Sequence, residues 1–192
     1  MMIHSCVRRM YYLIHPVCFR SQCGSLKVVD RRKSFFKLSQ GEYVTPKKVE
    51  EVYASSLLVE HVFVDGDSRR SFLIAIIVPN LTELRKRLVT WCSNGTLSSL
   101  KLPRGQKLPT PDLNDTELCK HPLISQLVLD ELTQIGKSGG LKGFEQAKAL
   151  HLSAEPFTVA SGLLTPTMKV SRPIVRRHFA PVIKQLYSEH RE

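Results

Sequence analysis

The chain has 192 residues, of which 42% are apolar and 23% are charged, and its formal net charge is +11. This composition is typical of a globular domain and excludes collagen-like, coiled-coil and low-complexity architectures. The longest uninterrupted apolar run, Phe72 to Pro79, has about eight residues, whereas a membrane-spanning helix needs about 20.

The positive charge is concentrated at the two ends of the chain. Residues 1–48 contain ten basic and two acidic side chains, and residues 165–192 contain six and two. The segment between them is nearly neutral, with twelve and thirteen. Such an excess favours an anionic partner. Because the basic residues are neither interleaved with aromatic residues nor grouped on one predicted helix, we expect small phosphate-bearing ligands rather than nucleic acid.

The five cysteines show no spacing typical of a metal site. We therefore expect free thiols and no metal ligands in this chain.

The first 23 residues differ from the rest of the sequence. Arg8 and Arg9 precede a short apolar stretch that Pro16 interrupts, which argues against a signal peptide. We expect a disordered leader here; a targeting segment and an incorrectly assigned start of the reading frame are the alternatives.

The next elements form a compact series of strands and one helix. Short strands are predicted at 26–29 and 35–38. Thr45 is a candidate N-cap with Pro46 at the first helical position, and the apolar spacing predicts a helix over 46–55. Branched and aromatic residues at 57–64 and 71–78, with a turn signal at 65–67 between them, predict an antiparallel hairpin. The second of these strands is apolar throughout, so we expect it to be covered on both faces.

The second half of the chain alternates helices with one strand. Helices are predicted at 80–92 and 121–137, a long loop at 93–115, a strand at 147–152 and an irregular segment at 153–168. A last helix begins after Ser171, and Pro181 should kink or end it. The predicted fold class is α+β: a small sheet of about three strands flanked by helices and preceded by a short two-stranded hairpin.

Two segments place basic residues beside Gly, Pro and Thr. They are residues 30–44, DRRKSFFKLSQGEYV, and residues 162–169, GLLTPTMK. A lysine on a loop stiffened by proline loses less freedom on binding a phosphate than one on a flexible tail. A lone lysine after a proline is a weak signal, however, and composition alone favours an ordinary exposed surface loop in each case.

These segments also carry a family resemblance. GSLKVVDRRKSFFKLSQGEYVTPKKVEEVY and GLLTPTMKVSRP closely resemble the C-terminal domain of long-chain fatty acid–CoA ligases, which belong to the AMP-forming adenylating enzymes. The stretches at 144–146 and 155–158 follow in the same order, so the resemblance covers residues 24–190. It implies a leader at 1–23, a hinge and hairpin segment at 24–44, and a mobile lid domain at 45–192.

The resemblance also implies roles for individual residues. Lys169 matches the lysine that stabilises charge during adenylation, Arg31 the arginine on the nucleotide ribose, and Lys33 the hinge about which the lid turns. The loop that resembles the thioester-step face, where coenzyme A binds, contains Lys37, Gly41 and Glu42.

The implied reaction uses ATP and Mg²⁺ to activate a long-chain fatty acid as its acyl-adenylate, which coenzyme A then converts to acyl-CoA. The phosphate-gripping loop, the Mg²⁺-binding segment and the fatty-acid tunnel of the family are absent from this sequence and are expected in a large N-terminal domain, supplied in cis or in trans. We therefore expect an isolated lid that is inactive alone. A non-catalytic regulatory or ligand-binding module is the alternative.

The chain is expected to be soluble and intracellular, although the parent family associates with the endoplasmic reticulum, peroxisome or mitochondrial outer membrane.

Overall fold

A computed structural model describes residues 35–93, 109–110 and 112–190 in full, together with the backbone of three strands nearer the N-terminus. The strands are β1 (Tyr11–Tyr12), β2 (Pro16–Arg20), β3 (Leu26–Arg31), β4 (Phe36–Lys37), β5 (Tyr43–Val44), β6 (Val59–Gly66), β7 (Leu73–Pro79) and β8 (Ala147–Leu152). The α-helices are α1 (Pro46–Tyr53), α2 (Leu81–Ser93), α3 (Asp115–Lys120), α4 (Pro122–Ser138), α5 (Arg172–His178) and α6 (Ala180–Glu189).

The strands form three separate sheets. β1, β2 and β3 pair antiparallel, β4 and β5 form a short hairpin, and β6, β7 and β8 form a mixed sheet with β7 in the centre. β6 and β7 are antiparallel, whereas β8 returns parallel to β7 after the helices α2, α3 and α4. The α+β prediction, with its three-stranded sheet, flanking helices and preceding hairpin, is confirmed.

The central strand β7 is buried along its whole length, as its sequence predicts. Its alternate residues enter different clusters, because successive side chains of a strand point to opposite faces of the sheet. Leu73, Ala75 and Ile77 pack with α1, α2, α3 and α4 on what we call the four-helix face. Ile76 and Val78 pack with residues 157–164 and α5 on the opposite, C-terminal face, where α6 also lies.

The helix boundaries agree with the sequence signals, but some caps do not form as expected. α1 begins at Pro46 after Thr45, although the Thr45 side chain makes no capping hydrogen bond. The predicted final helix divides at Phe179 into α5 and α6, next to Pro181. The missing N–H of proline explains this break. Within the described residues, no helix has the length and apolar content needed to span a bilayer.

Two local predictions differ from the structure. β6 continues through Gly66, which pairs with Leu73, so the reversal lies at 67–72 rather than 65–67. The predicted loop ends in α3, which buries Leu118 and Cys119. In the leader, β2 pairs antiparallel with β1 and with β3. The domain boundaries and the character of the leader stay predictions.

Gly66 offers a test of how the β4–β5 hairpin is seated. A Cβ at Gly66 would lie 2.2 Å from the Phe36 ring, whereas a Cβ at Gly143 would meet nothing within 4 Å. We expect Gly66→Ala to destabilise the fold by about 1–3 kcal/mol through overpacking, measured by urea denaturation. The control Gly143→Ala should leave stability within about 0.5 kcal/mol; equal effects would contradict this packing.

Candidate functional site

The loop that carries Lys169 is a tight reversal fixed by its own backbone and by Thr165. Leu164 and Val170 form an isolated antiparallel bridge across its base. The Thr165 N–H donates to the Lys169 carbonyl at 2.8 Å, and the Lys169 N–H donates to the Thr165 hydroxyl at 3.2 Å. Met168 completes the turn in the left-handed region, with φ of 59°. This conformation is uncommon for a residue with a side chain, so the loop is held in shape by its closing hydrogen bonds.

The Lys169 side chain extends from this fixed loop into solvent. It is exposed, and it forms no ion pair with any residue of the described ranges. Its neighbour Met168 is also 65% exposed. The structure therefore presents an unneutralised ammonium group on a rigid support, which suits it to meet an anion that another molecule or domain provides.

The second predicted site lies on the β4–β5 hairpin. Lys37 is exposed and its Nζ lies 5.7 Å from the centre of the Tyr43 ring, a cation–π contact. Gly41 has φ of 91°, which favours glycine, and its N–H donates to the Leu38 carbonyl at 2.9 Å. Glu42 is exposed beside it. The structure thus brings Lys37, Gly41 and Glu42 together at one tip.

The lysine loop and the hairpin are anchored on opposite faces of the central sheet. Leu163 and Leu164, at the base of the lysine loop, are buried in the C-terminal face with Ile76. Leu38 and Val44 of the hairpin are buried in the four-helix face. The molecule therefore supports two chemically distinct segments from two sides of one rigid sheet.

For the two remaining predicted residues, Arg31 and Lys33, the structure shows only the backbone of Arg31. Arg31 is the last residue of β3, where its backbone pairs with Pro16. Lys33 lies outside the described residues.

Of the cysteines, Cys92 and Cys119 are free thiols, as expected. Burial raises the pKa of Cys119 to about 11, so it stays protonated at neutral pH.

The structure adds a clamp that the sequence analysis did not single out. Arg172, three residues after Lys169, hydrogen-bonds both the Glu50 carboxylate of α1 and the Val64 carbonyl, and its guanidinium lies 4.7 Å from the centre of the Phe63 ring. Glu50 also accepts from the Val64 N–H at 2.9 Å. These bonds satisfy the N–H and carbonyl of Val64 on β6 and tie α5 to α1. The only advance signal was that Arg172 belongs to the GLLTPTMKVSRP stretch, since nothing in the sequence pairs it with Glu50.

Comparison with known proteins finds sequence relatives of one kind. No family model matches the chain. Long-chain-fatty-acid–CoA ligase 5 of Mus musculus is 41% identical over 169 residues, which are 88% of this chain and 22% of the relative. Long-chain-fatty-acid–CoA ligase 1 of Homo sapiens is 40% identical over 166 residues, 86% of this chain and 21% of the relative. The chain is a homologue of the long-chain fatty acid–CoA ligases. It spans about a fifth of the length of these relatives.

Solved structures relate the fold of this ligase homologue to adenylation domains. The adenylation domain of a carboxylate reductase from Mycobacterium chelonae matches with a TM-score of 0.68 and 29% identity, over 92% of this chain and 23% of that chain. The A-PCP didomain of carboxylic acid reductase from Segniliparus rugosus, in complex with AMP, matches with a TM-score of 0.68 and 29% identity, over 93% and 21%. The resemblance seen in the sequence is confirmed both by the related sequences and by the related structures.

Within the described residues, no group of three or more His, Cys, Asp or Glu side chains is arranged to hold a metal ion. The Mg²⁺ that the resemblance implies therefore stays a prediction for the large N-terminal domain.

The role of Thr165 in fixing the lysine loop can be tested by hydrogen exchange. Thr165→Val keeps the shape of the side chain but removes the hydroxyl that accepts from the Lys169 N–H. We expect exchange of the Lys169 amide to accelerate by about three- to tenfold, the equivalent of one net hydrogen bond. Thr165→Ser retains the acceptor and should exchange at the original rate. Unchanged exchange in Thr165→Val would show that the backbone bonds alone hold the loop.

The clamp can be tested with two adjacent glutamates of α1. Glu50→Ala leaves Arg172 and the Val64 N–H without their half-buried acceptor, so we expect a loss of about 2–3 kcal/mol in the free energy of unfolding. Glu51 forms only an exposed pair with Lys47 at 3.7 Å, and Glu51→Ala should change stability by less than about 0.5 kcal/mol. Urea denaturation measures both, and similar losses for the two variants would refute the clamp.

Proposed function

We propose that this chain is the lid of an ATP-dependent long-chain fatty acid–CoA ligase, which works with a large domain that supplies the fatty-acid tunnel and most of the nucleotide site. The observation that carries the proposal is the Lys169 ammonium group, exposed and without an ionic partner among the described residues, on a loop fixed by Thr165. The kinship with long-chain fatty acid–CoA ligases supports the reaction class.

In the first step, a carboxylate oxygen of the fatty acid attacks the α-phosphorus of ATP. A new oxygen–phosphorus bond forms as the bond to pyrophosphate breaks, giving acyl-adenylate. Negative charge accumulates between the carboxylate and the α-phosphate, and the Lys169 ammonium group is proposed to offset it. Because the Lys169 backbone is already held, little reorganisation is needed when that charge develops. Arg31 is proposed to hold the ribose hydroxyls, which suit a guanidinium fork.

In the second step, the sulfur of coenzyme A attacks the carbonyl carbon of the acyl-adenylate. The carbon–oxygen bond to the phosphate of AMP breaks, AMP leaves as its phosphate anion, and the thiol proton passes to water. We propose that the tip formed by Lys37, Gly41 and Glu42 faces this step. Gly41 lacks a side chain and has a positive φ, so its backbone can lie against the pantetheine arm. The two segments lie on opposite faces of the sheet; a rotation about Lys33 is proposed to exchange them between steps.

The proposal is tested by replacing the matching segment of the mouse relative with residues 26–190 of this chain. Lys169→Ala should slow ATP–pyrophosphate exchange by about 100- to 1,000-fold, the effect of removing one preorganised donor. Formation of acyl-CoA from supplied acyl-adenylate should change by less than about threefold, because Lys169 serves only the first step.

Lys120→Ala is the matched control, since Lys120 is another exposed lysine, on α3. It should leave both half-reactions unchanged. Equal slowing of both by Lys169→Ala, or no slowing of either, would contradict the assigned role. A folded but inactive chimera, with this chain still binding AMP or coenzyme A in calorimetry, would instead favour a non-catalytic ligand-binding module.

A further inference from the structure

A cleft of about 480 Å³ lies where the turn between β6 and β7 meets α5 and α6. Its lining combines basic, acidic and aromatic side chains: Asp65, Asp67, Arg69, Arg70, Arg176 and Lys184 surround the Tyr187 ring. This volume is within the usual range for small-molecule sites, about 300–1,000 Å³. None of these residues belongs to the segments assigned above.

The carboxylates of the cleft are already matched by guanidinium groups. Asp67 binds Arg69 through both oxygens, at 3.2 and 3.0 Å. Asp65 is buried, and its Oδ2 lies 3.1 Å from the Arg176 Nε. Burial raises the pKa of the Asp65 carboxyl, with Arg176 acting in the opposite direction. Each carboxyl group therefore has a guanidinium group beside it, which reduces the repulsion that an incoming anion would meet.

Two cations of the cleft remain unmatched. Neither Arg70 nor Lys184 forms an ion pair with a residue in the described ranges. The Arg70 guanidinium lies 5.8 Å from the centre of the Tyr187 ring, so its position is partly set by an aromatic contact. The cleft thus carries about two net positive charges.

Tyr187 fixes the floor of the cleft against the turn. Its hydroxyl accepts a hydrogen bond from the Asp67 N–H at 3.2 Å, and its ring centre lies 5.3 Å from that of Phe72. The cations therefore stand on a frame that couples α6 to the turn. Such a frame reduces the ordering cost of binding a ligand.

The same turn is bonded directly to the hairpin tip. The Ser39 N–H donates to the Arg70 carbonyl at 3.0 Å, and the Gln40 side-chain amide donates to the Ser71 carbonyl at 2.9 Å. Ser39 and Gln40 lie in the loop that also contains Gly41. Arg70, which lines the cleft, is therefore hydrogen-bonded through its backbone to the loop proposed to face the pantetheine arm.

We propose that this cleft binds the phosphate groups at the nucleotide end of coenzyme A, with Arg70 and Lys184 as the binding cations. This inference rests on the proposed function, because that function places the thiol end of the same molecule at the neighbouring hairpin. A guanidinium and an ammonium together match a ligand with at least two negative charges. Coenzyme A meets this requirement with a diphosphate and a phosphate monoester.

The test is calorimetric titration of the full chain with coenzyme A. We expect Arg70→Ala/Lys184→Ala to weaken binding by about 10- to 100-fold, from the loss of two charge-assisted contacts. The matched control, Lys86→Ala/Lys120→Ala, removes the same charge from exposed positions on α2 and α3. It should change affinity by less than about twofold.

Further titrations identify the source of the phosphate. Dephospho-coenzyme A, inorganic pyrophosphate and vesicles containing phosphatidic acid are titrated in parallel. Weaker binding of dephospho-coenzyme A to the wild-type chain assigns the monoester to the cleft. Loss of vesicle or pyrophosphate binding without loss of coenzyme A binding would overturn the proposal, as would equal coenzyme A affinity in the double variant and the control.

Folding and function are separated by two additional measurements. Lys184 is exposed on α6, so Lys184→Ala alone keeps the test valid should Arg70→Ala fail to fold; it should weaken binding by about three- to tenfold. An active chimera whose affinity for coenzyme A does not change when Arg70 and Lys184 are replaced would contradict the role of the cleft but not the ligase function. An inactive chimera, together with a chain that binds coenzyme A through these two residues, would contradict the ligase function but not the role of the cleft.

Discussion

The structure depends on the burial of one strand on both faces. β7 lies in the centre of the mixed sheet, and each of its residues is buried. Each face needs its own covering layer, since an apolar strand stabilises the fold only when its side chains leave water on both sides. Helices α1 to α4 cover one face, and α5, α6 and residues 157–164 cover the other. The division of the chain into two layers follows from this single requirement.

That division also separates the chemical segments. The base of the lysine loop is part of the layer on the C-terminal face, and the hairpin is part of the four-helix layer. Lys169 and Gly41 therefore extend from layers that are anchored on opposite faces of the sheet. This arrangement is compatible with the proposed use of the two segments in two different steps.

Two features of the surface are the outer edge of β6 and the pairing of exposed cations with acidic side chains. On β6, Glu50 and Arg172 bind the N–H and carbonyl of Val64, so this residue is not free to pair with the strand of another chain. Many exposed cations are matched by acids nearby, as in the pair of Arg87 with Glu131. Lys169, Arg70 and Lys184 have no such ionic partner among the described residues, so their charge is available to a ligand. Net charge alone does not reveal this difference, because it counts matched and unmatched cations equally.

The sequence by itself determined the kinds of elements, the burial of β7, the break near Pro181 and the resemblance to long-chain fatty acid–CoA ligases. These follow from local periodicity, proline geometry and contiguous motifs. The sequence placed the turn between β6 and β7 too early, because Gly66 lies in the strand against the ring of Phe36, which is 30 positions away in the sequence. It also missed α3, whose Leu118 and Cys119 are buried in the cluster with other helices. Only the tertiary structure paired Arg172 with Glu50 and left Arg70 and Lys184 unmatched beside Tyr187. Such pairings join residues more than a hundred positions apart, and their geometry depends on the packing of the whole chain.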